Sequence, residues 1–453
     1  MTQQIVLRTP QSSQETVKGI THITVAGYKS ISQEQNIEIR PLTILAGANS
    51  SGKSSIMQPL LLLKQTLEAS YDPGALLLNG PNVRFTSVDQ LLSCTIKGKR
   101  TDTFCVGIRV GSGALTTCFN RQPGKGLEIQ QMTYGNEQER AILRLGMTHD
   151  EILSVVAPYH RNLYEAISKV RKVKPEWVVV RNRCFLELAL RAEREGELHL
   201  SLGGGGLSPS AMVAPHIRRL IHLPGLRGNP ERTYPVTAVG STFPGTFEEY
   251  TASVIAQWQA EGNDDKLEQL NQDLKRLGLT WKIIAQPIND TQVELRVGRL
   301  TRAVQGGARD LVNIADVGFG VSQTLPVLVA LHAADPGQLV YLEQPEIHLH
   351  PNAQFALASA LADATRRGVR VVAETHSALL LLGVQTLVAE GQLAPEAVKL
   401  HWFRRGDGAT EIVSTDLDEA GTFGDWPEDF ADVALRAESR YLDAAESRQQ
   451  RMN

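Results

Sequence analysis

Residues 47–54 have the sequence Gly47-Ala48-Asn49-Ser50-Ser51-Gly52-Lys53-Ser54, which is the G-x-x-x-x-G-K-[ST] pattern of a phosphate-binding P-loop. Apolar residues 42–46 predict a buried strand before this loop, and residues 55–67 predict a helix after it. In that setting the N–H groups of the loop and the helix N-terminus converge and bind a polyphosphate. Lys53 adds a positive charge for the β- and γ-phosphates, and the Ser54 hydroxyl is placed for Mg²⁺. A chance Gly/Ser-rich turn is the alternative, and the flanking strand and helix argue against it.

The composition is that of an ordinary soluble protein, with 453 residues, 21% charged residues and a formal net charge of −3. Nothing in this charge indicates a nucleic-acid binder, although a local basic patch is compatible with it. Neither a signal peptide nor a membrane-spanning run is present, so we expect a cytoplasmic protein with no membrane partner. The cysteines have no metal-ligand spacing and are expected to be small buried hydrophobes in a reducing cytosol: Cys94, Cys105, Cys118 and Cys184.

Changes of pattern along the chain divide it into five segments. These are a disordered tail (1–19), an N-terminal lobe with the P-loop (20–147), an inserted, mainly helical region (148–300), a C-terminal lobe (301–403) and a small C-terminal tail (404–453). Helices are predicted over 151–173, 181–194 and 246–277, and a hairpin over 398–414 closes around Asp407-Gly408.

Basic residues are concentrated in the first two of those helices. A solvated helix face is the first interpretation, and a surface for nucleic acid or a protein partner is the second. The residues are Arg161, Lys169, Arg171, Lys172, Lys174, Arg181 and Arg183.

A second apolar strand, residues 339–343, ends in Glu343 and is followed by Gln344-Pro345-Glu346. We expect this strand to lie beside the P-loop strand, where its acid holds Mg²⁺ directly or through water. A carboxylate nearby orients the attacking water. The alternative is a pair of surface acids at a strand end.

Histidines follow this strand and the next predicted one. His376 comes after the buried strand 369–373 and is placed to sense the γ-phosphate, with a purely structural histidine as the alternative. His350 is the expected N-cap of a helix that begins at Pro351. His348 and His350 alternate like a metal pair, but no third ligand accompanies them.

A glycine-containing loop over residues 316–323 precedes a helix predicted at 324–332. Such a helix terminus is a second anion-binding site, and beside a P-loop it suggests a site completed across a dimer.

Together these motifs resemble an ATPase of the ABC superfamily, on the branch that holds Rad50, SMC, RecF and the overcoming-lysogenization-defect (OLD) proteins. Residues 23–31 resemble the opening strand of that branch, 47–54 Walker A, 318–323 the signature loop and 339–343 Walker B, with Thr375-His376 matching the switch histidine. The resemblance implies an α/β fold: an ABC-type ATPase head with a mixed sheet around the P-loop helix, an antiparallel β subdomain and an inserted helical region.

The resemblance also implies ATP and Mg²⁺ as cofactors and assigns the site residues. Expected metal ligands are Ser54, Glu343 and Gln90, the last as the Q-loop glutamine or else a surface amide. Expected catalytic residues are Glu343, Gln344, Glu346 and His376. Expected nucleotide contacts are Lys29, Asn49, Ser50, Ser51, Gly52, Lys53, Ser54, Ser55 and, across a dimer, Gly320, Ser322 and Gln323.

This sequence departs from the family pattern at three places, one of which is the Q-loop, where Gln90 is only a candidate. The usual Asp-Glu is Glu343-Gln344, and an amide takes no proton at neutral pH. Either Glu346 or Glu343 positions the water, or hydrolysis is slow and ATP acts as a clamp. In the signature, aligned on Gln323, the usual serine falls on Gly320, and Ser322 can serve instead.

Residues 222–234 and 416–432 resemble bacterial ATPases with a small DUF3696 tail, whose relatives are ATPase subunits of antiphage systems such as PARIS, Septu and Gabija. This implies a nucleotide-driven switch that forms a homodimer or higher oligomer. It would hold or activate a partner such as a TOPRIM or HNH nuclease, with DNA or a phage protein as the trigger. Asp416-Leu417-Asp418 resembles the TOPRIM D-x-D pair, but no glutamate-bearing strand precedes it, so we expect no nuclease here. The alternatives are a RecF- or SMC-like DNA repair ATPase that binds DNA, and a non-hydrolysing scaffold.

Overall fold

The computed structural model describes residues 19–94, 100–124, 126–136, 138–155, 176–191, 208–300, 310–406, 408–424, 439–444 and 448. Residues 1–18 of the expected tail (1–19), the basic residues at 161–174, Asp407 and the C-terminal stretch 425–438 lie outside these residues.

Strands and helices are numbered in chain order. The strands of the first half are β1 (Ile20–Ala26), β2 (Gln35–Glu38), β3 (Leu42–Gly47), β4 (Thr103–Val110), β5 (Gly113–Gln122), β6 (Gly126–Gly135), β7 (Arg140–Leu143), β8 (Glu176–Asn182) and β9 (Phe185–Arg191). Those of the second half are β10 (Ile221–Leu223), β11 (Tyr234–Pro235), β12 (Ile283–Asn289), β13 (Gln292–Gly298), β14 (Leu311–Asn313), β15 (Leu339–Glu343), β16 (Arg370–Thr375), β17 (Val398–Gly406) and β18 (Ala409–Thr415). The helices are α1 (Lys53–Glu68), α2 (His149–Val155), α3 (Ala214–Arg218), α4 (Thr251–Ala260), α5 (Asp264–Arg276), α6 (Phe319–Ala333), α7 (Pro351–Arg366) and α8 (Ala378–Ala389).

A six-stranded sheet in the order β10-β15-β16-β3-β17-β18 carries the P-loop. Every neighbouring pair in it is parallel except β17 and β18. β3 and β16 are buried along their whole length, because helices cover both faces of the sheet. α1 packs in the core on one face, and α6, α7 and α8 pack in the core on the other.

The strand order corrects one expectation about the site. β16 lies between β3 and β15, so the strand that ends in Glu343 is not the neighbour of the P-loop strand. The neighbour instead ends in Glu374-Thr375, with Glu374 opposite Leu45 and Glu343 opposite Glu374.

An antiparallel sheet in the order β2-β1-β4-β5-β6-β7 covers α1 and shares its core. The predicted fold class, an α/β head with a mixed sheet around the P-loop helix and an antiparallel β subdomain, is therefore confirmed. Cys105 and Cys118 face each other across β4 and β5 and form a disulfide. The expectation that all four cysteines are buried hydrophobes is wrong for this pair and for the exposed Cys94, and it is confirmed for Cys184.

Between residues 148 and 300 the described residues form strands β8–β13 as well as helices α2–α5, so the described part of this region is not mainly helical. The helix predicted over 181–194 is wrong, because residues 176–191 form the hairpin β8–β9. Trp177 and Phe185 bury one face of this hairpin in the core beneath the antiparallel sheet. β10 joins the central sheet, so the region also contributes to the P-loop lobe. Within the described part of the chain, no helix is long and apolar enough to cross a bilayer.

Candidate nucleotide-binding site

The P-loop connects β3 to α1 by a turn that needs glycine at both ends. Gly47 has φ 143° and Gly52 has φ 102°, and Ser50 between them has φ 59°. A Cβ atom on Gly47 would lie 2.2 Å from the carbonyl oxygen of Phe403, and one on Gly52 would lie 2.2 Å from Oγ1 of Thr410. The loop is thus held tightly against β17 and β18 in a conformation that a side chain would strain.

Lys53 begins α1 and is folded back onto its own loop. Its Nζ donates to the carbonyl oxygens of Gly47 at 3.0 Å and Ala48 at 2.8 Å, and the residue is only 3% exposed. Burial lowers the pKa of the ammonium, against the charges of Glu374 and Glu346, which act to raise it. The lysine therefore closes the loop until a stronger acceptor replaces the two carbonyls.

Ser54 pairs with an acid that the sequence analysis did not assign. Its hydroxyl donates to the Glu374 carboxylate, with Oγ 3.0 Å from Oε1 and 2.9 Å from Oε2. Tyr341 OH donates to the same carboxylate at 3.0 Å. Burial and the neighbouring Glu343 raise the pKa of Glu374, because both disfavour the ionised form.

The pair fits a magnesium site, because hydroxyl and carboxylate oxygens are ligands that Mg²⁺ prefers and the ion keeps several waters. The Lys53 charge and two hydrogen bonds act to lower the pKa of Glu374 but do not offset burial and Glu343. The buried hydroxyl of Ser51 in the loop has no hydrogen-bond partner. Among the described residues, no three His, Cys, Asp or Glu side chains form a protein-only metal cluster.

The Glu343 side chain contacts His222 and Gly225, not the P-loop. Its Oε1 lies 3.1 Å from His222 Nε2, and its Oε2 accepts from the Gly225 N–H at 3.2 Å. Burial acts to raise the pKa of Glu343, but His222, Gly225 and the Arg227 charge together lower it. The structure brings Glu343 close to Glu374 but not into contact with Ser54, so a direct metal contact stays a prediction.

Glu346 and His376 meet beside the P-loop. Glu346 Oε1 accepts from Thr375 Oγ1 at 2.6 Å and from the His376 N–H at 3.0 Å, while its Oε2 is buried without a hydrogen-bond partner. Burial and the Lys53 charge lower the pKa of His376, against a hydrogen bond with the Gly47 backbone. Both side chains are therefore within electrostatic reach of the P-loop lysine.

The turn after β15 is set by the backbone of Gln344, which has φ 45° and donates its N–H to the Glu374 carbonyl at 2.8 Å. A non-glycine residue in this region is uncommon and marks a constrained turn. His350 caps α7 by accepting from the Asn352 N–H, so the expected N-cap with Pro351 at the first helical position is confirmed.

The predicted signature residues lie inside a helix rather than before it. α6 begins at Phe319, so Gly320 and Ser322 belong to its first turn, and the expected start at 324 is wrong. Gln323 is buried, and its Nε2 donates to the carbonyl oxygens of Arg227 at 2.8 Å and Gly228 at 2.9 Å. Its side chain is thus occupied inside the protein and is not presented to a second copy.

Arg227 is the functional candidate that sequence reasoning missed. Its Nη1 donates to the Gln323 carbonyl at 3.0 Å and its Nη2 to the Glu343 carbonyl at 2.9 Å. Burial lowers its pKa to about 10, against the charges of Glu248, Glu346 and Glu343, which act to raise it. We call this set of hydrogen bonds between Arg227, Gln323 and Glu343 the Arg227 clamp, because it ties the first turn of α6 to the end of β15.

The two remaining predicted contacts lie on the β1 side. Lys29 donates to Gln58 Oε1 at 2.6 Å and its Nζ lies 4.7 Å from the Phe85 ring centre. Gln90 lies in an exposed turn, where its amide accepts from the Thr86 N–H at 2.9 Å and donates to the Thr86 hydroxyl at 3.1 Å. The structure therefore does not bring Gln90 to Ser54.

Removing the clamp should destabilise the fold. We expect Arg227→Met to lower the free energy of unfolding by about 3 kcal/mol, because at least two charge-assisted hydrogen bonds are lost and buried carbonyls lose their partners. Urea denaturation measures this. Arg232→Met is the matched control, since that arginine is exposed and pairs with Asp316 at the surface. Equal destabilisation by both variants would contradict the clamp.

Residues 218–382 match the family model described as "AAA domain, putative AbiEii toxin, Type IV TA system". This segment is similar to an AAA ATPase domain. It contains the Arg227 clamp, Glu343, Glu346 and His376, whereas the P-loop lies outside it and is joined to it through β3. No curated protein matched the chain.

Solved structures of SMC heads are among those to which the chain is similar. A head bound to the C-winged helix domain of ScpA has 13% identity and a TM-score of 0.47 over 89% of this chain and 99% of its own. The SMC head domain from Thermotoga maritima has 9% identity and a TM-score of 0.40 over 87% and 98%. An Smc head with an extended coiled coil from Pyrococcus furiosus, bound to the C-terminal domain of ScpA, has 12% identity and a TM-score of 0.41 over 94% and 99%.

Proposed function

We propose that this chain binds and hydrolyses ATP and acts as the nucleotide-driven switch or scaffold subunit of a bacterial antiphage defence complex that holds or activates a partner nuclease or toxin. The observation that carries the ATPase part is the convergence on one P-loop of three groups: the Lys53 ammonium, the Ser54–Glu374 pair and the Glu346–Thr375–His376 network. Together they supply cation, metal ligands and a proton acceptor for phosphoryl transfer to water.

Each group has a distinct role in this proposal. Ser54 and Glu374 would hold Mg²⁺, which neutralises triphosphate charge when bound. Lys53 would leave the Gly47 and Ala48 carbonyls for phosphate oxygens. Glu346 is assigned as the general base, because its unpaired Oε2 can accept a proton while Oε1 stays fixed by two donors. Both carboxylate oxygens of Glu343 already have partners, His222 and Gly225, so we assign Glu343 to positioning the end of β15.

Self-association would complete the site. Phe319 begins α6 and is 52% exposed, next to Gly320 and Ser322 in the first turn of the helix. In such a dimer, the phosphates bound at the P-loop of one copy would lie against the start of α6 in the other copy, since a helix N-terminus favours negative charge. The apolar Phe319 ring would be buried by the same contact.

The defence role rests on the resemblance of residues 222–234 and 416–432 and on the family description, which names a putative toxin of a toxin–antitoxin system. The test is mass measurement of the purified chain with ATP and with ADP, together with identification of a protein encoded beside it that co-purifies. We expect ATP-dependent assembly and a TOPRIM or HNH partner. An isolated chain that binds no ATP would end the proposal.

The DNA repair alternative depended on a basic surface that includes Arg181 and Arg183. Arg181 forms a two-bond ion pair with Asp72, and Arg183 donates to the carbonyl oxygens of Thr66, Leu67 and Ala69 at the end of α1. These two side chains serve the fold, which favours the switch. DNA binding that needs ATP and falls steeply with salt would reverse this preference.

The pH dependence of hydrolysis tests His376. Its pKa lies below the ordinary 6.5, so the ring is neutral at pH 7 and gains a proton only as the pH falls further. We expect steady turnover from pH 8 to 7 and a decline on the acid side. In His376→Gln we expect roughly tenfold slower turnover, from one lost hydrogen bond, and loss of the part of the decline due to this ring. An unchanged acid limb in the variant would contradict the role.

A further inference from the structure

His222 is a buried histidine that none of the proposed steps uses. It lies in β10 and is 1% exposed. Its Nε2 lies 3.1 Å from Oε1 of Glu343, and its Nδ1 lies 3.1 Å from Oδ1 of Asn82. Its ring also stacks on the Tyr341 ring, with the ring centres 5.5 Å apart and the planes 10° from parallel. Both ring nitrogens and one face of the imidazole are therefore held, which fixes the direction of Nε2.

The partner of His222 is the carboxylate next to the proposed magnesium ligand. Glu343 and Glu374 lie opposite each other on the neighbouring parallel strands β15 and β16. Neighbouring strands are about 5 Å apart, so the two side chains leave the sheet side by side. Burial and then the Glu343 charge raise the pKa of Glu374, which shows that the two carboxylates interact. Glu343 thus adds negative charge to the edge of the sheet where Ser54 pairs with Glu374.

The Glu343 carboxylate is accessible enough for this role. Its side chain is 25% exposed, in contrast to the buried ring of His222. Its second oxygen accepts from the Gly225 N–H at 3.2 Å, and each carboxylate oxygen has a further lone pair. The group can therefore keep both partners while a cation, or water bound to a cation, approaches the remaining lone pairs.

Two neighbouring carboxylates favour a cation, because they repel each other and a divalent cation nearby removes that repulsion. Without a cation, Glu343 could relieve the repulsion by turning away from Glu374. That movement would break the hydrogen bonds with His222 and Gly225. Residues that hold a metal-binding carboxylate in place typically contribute 10–100-fold to metal affinity.

We propose that His222 is a positioning residue of the magnesium site: it holds the Glu343 carboxylate beside Glu374, so that the charge of Glu343 strengthens Mg²⁺ binding. This inference rests on the metal role that the proposed function gives to Ser54 and Glu374. His222 acts only through Glu343 and transfers no proton in this role.

Counting bound ions by electron paramagnetic resonance tests the inference, with Mn²⁺ in place of Mg²⁺ because both prefer carboxylate and water ligands. The full chain is titrated with and without the non-hydrolysable ATP analogue AMP-PNP. We expect His222→Phe, which keeps a ring against Tyr341 but has no donor, to weaken Mn²⁺ binding roughly tenfold. His222→Gln retains an N–H donor and should stay within about threefold of the wild type.

A double-mutant cycle separates positioning from folding. Glu343→Gln removes the charge, so adding His222→Phe to it should cause no further loss of Mn²⁺ affinity. His332→Phe is the matched control, because His332 in α6 forms another buried histidine–carboxylate pair, with Nε2 2.8 Å from Oδ2 of Asp273. The control should lower the thermal midpoint and leave Mn²⁺ binding unchanged.

Unchanged Mn²⁺ affinity in His222→Phe would overturn the inference, as would equal losses in His222→Phe and His222→Gln or a further loss in the double variant. A wild-type chain that binds no Mn²⁺ in either titration would overturn it too. If the chain does not bind AMP-PNP but binds Mn²⁺ in a way that depends on His222, the inference stands and only the proposed ATPase fails.

Discussion

Lys53→Ala is expected to weaken ATP binding roughly 100-fold and to abolish measurable phosphate release. The variant removes the only ammonium in contact with the described P-loop, and charge-assisted contacts with phosphate contribute about 1.5–3 kcal/mol each. Calorimetric titration with Mg-ATP and a phosphate-release assay measure the two effects. A variant that still binds ATP within threefold of the wild type would contradict the assigned site.

Folding can be separated from binding in this variant. In the structure the ammonium is buried and satisfied only by two loop carbonyls, and its pKa is lowered by desolvation, so its loss removes a costly charge along with two hydrogen bonds. We therefore expect the thermal midpoint without nucleotide to change little, while the increase caused by ATP disappears. Lys275→Ala, at an exposed position of α5, is the matched control and should keep the full ATP-induced increase.

The P-loop and its flanking elements could be predicted because their signals are local. A buried apolar strand, the glycine spacing and an apolar helix all lie within about 25 residues. Strand order is different, because it depends on which surfaces pack together across hundreds of residues. The chain order of 339–343 and 370–375 therefore could not show that β16 separates β15 from β3, or that Glu374 is the acid that reaches Ser54.

The same limit explains the missed clamp and hairpin. Residues 222–234 showed a family resemblance, but nothing local indicated that His222 would enter the central sheet beside Tyr341 and that Arg227 would reach α6. At residues 181–191 the Leu, Ala, Glu and Arg content favours a helix in isolation. Burial of Phe185 in the core and the turn at Arg183, with φ 54°, favour the strand pair instead.

Glu346→Gln should separate ATP binding from hydrolysis. The amide oxygen can still accept from Thr375 and from the His376 N–H, so the local network is kept, whereas the unpaired oxygen becomes an NH₂ group that cannot take a proton. Loss of a general base costs roughly 100-fold or more in turnover. We expect single-turnover rates to fall by that factor, with ATP affinity within about threefold of the wild type.

Gln344→Glu is the companion variant, because it places an acid where the ATPases that this sequence resembles carry one. If Glu346 is the base, Gln344→Glu changes turnover little in the wild type and does not rescue Glu346→Gln. If the turn after β15 presents the base, Gln344→Glu accelerates hydrolysis and Glu346→Gln has only a small effect, which would move the assignment. The two outcomes differ because the two residues are held separately. Glu346 accepts a hydrogen bond from the Thr375 hydroxyl, whereas Gln344 donates its N–H to the Glu374 carbonyl. If the wild-type rate is slow and rises in Gln344→Glu, this chain holds ATP as a clamp. Mass measurements should then show that Glu346→Gln and the wild type assemble equally with ATP.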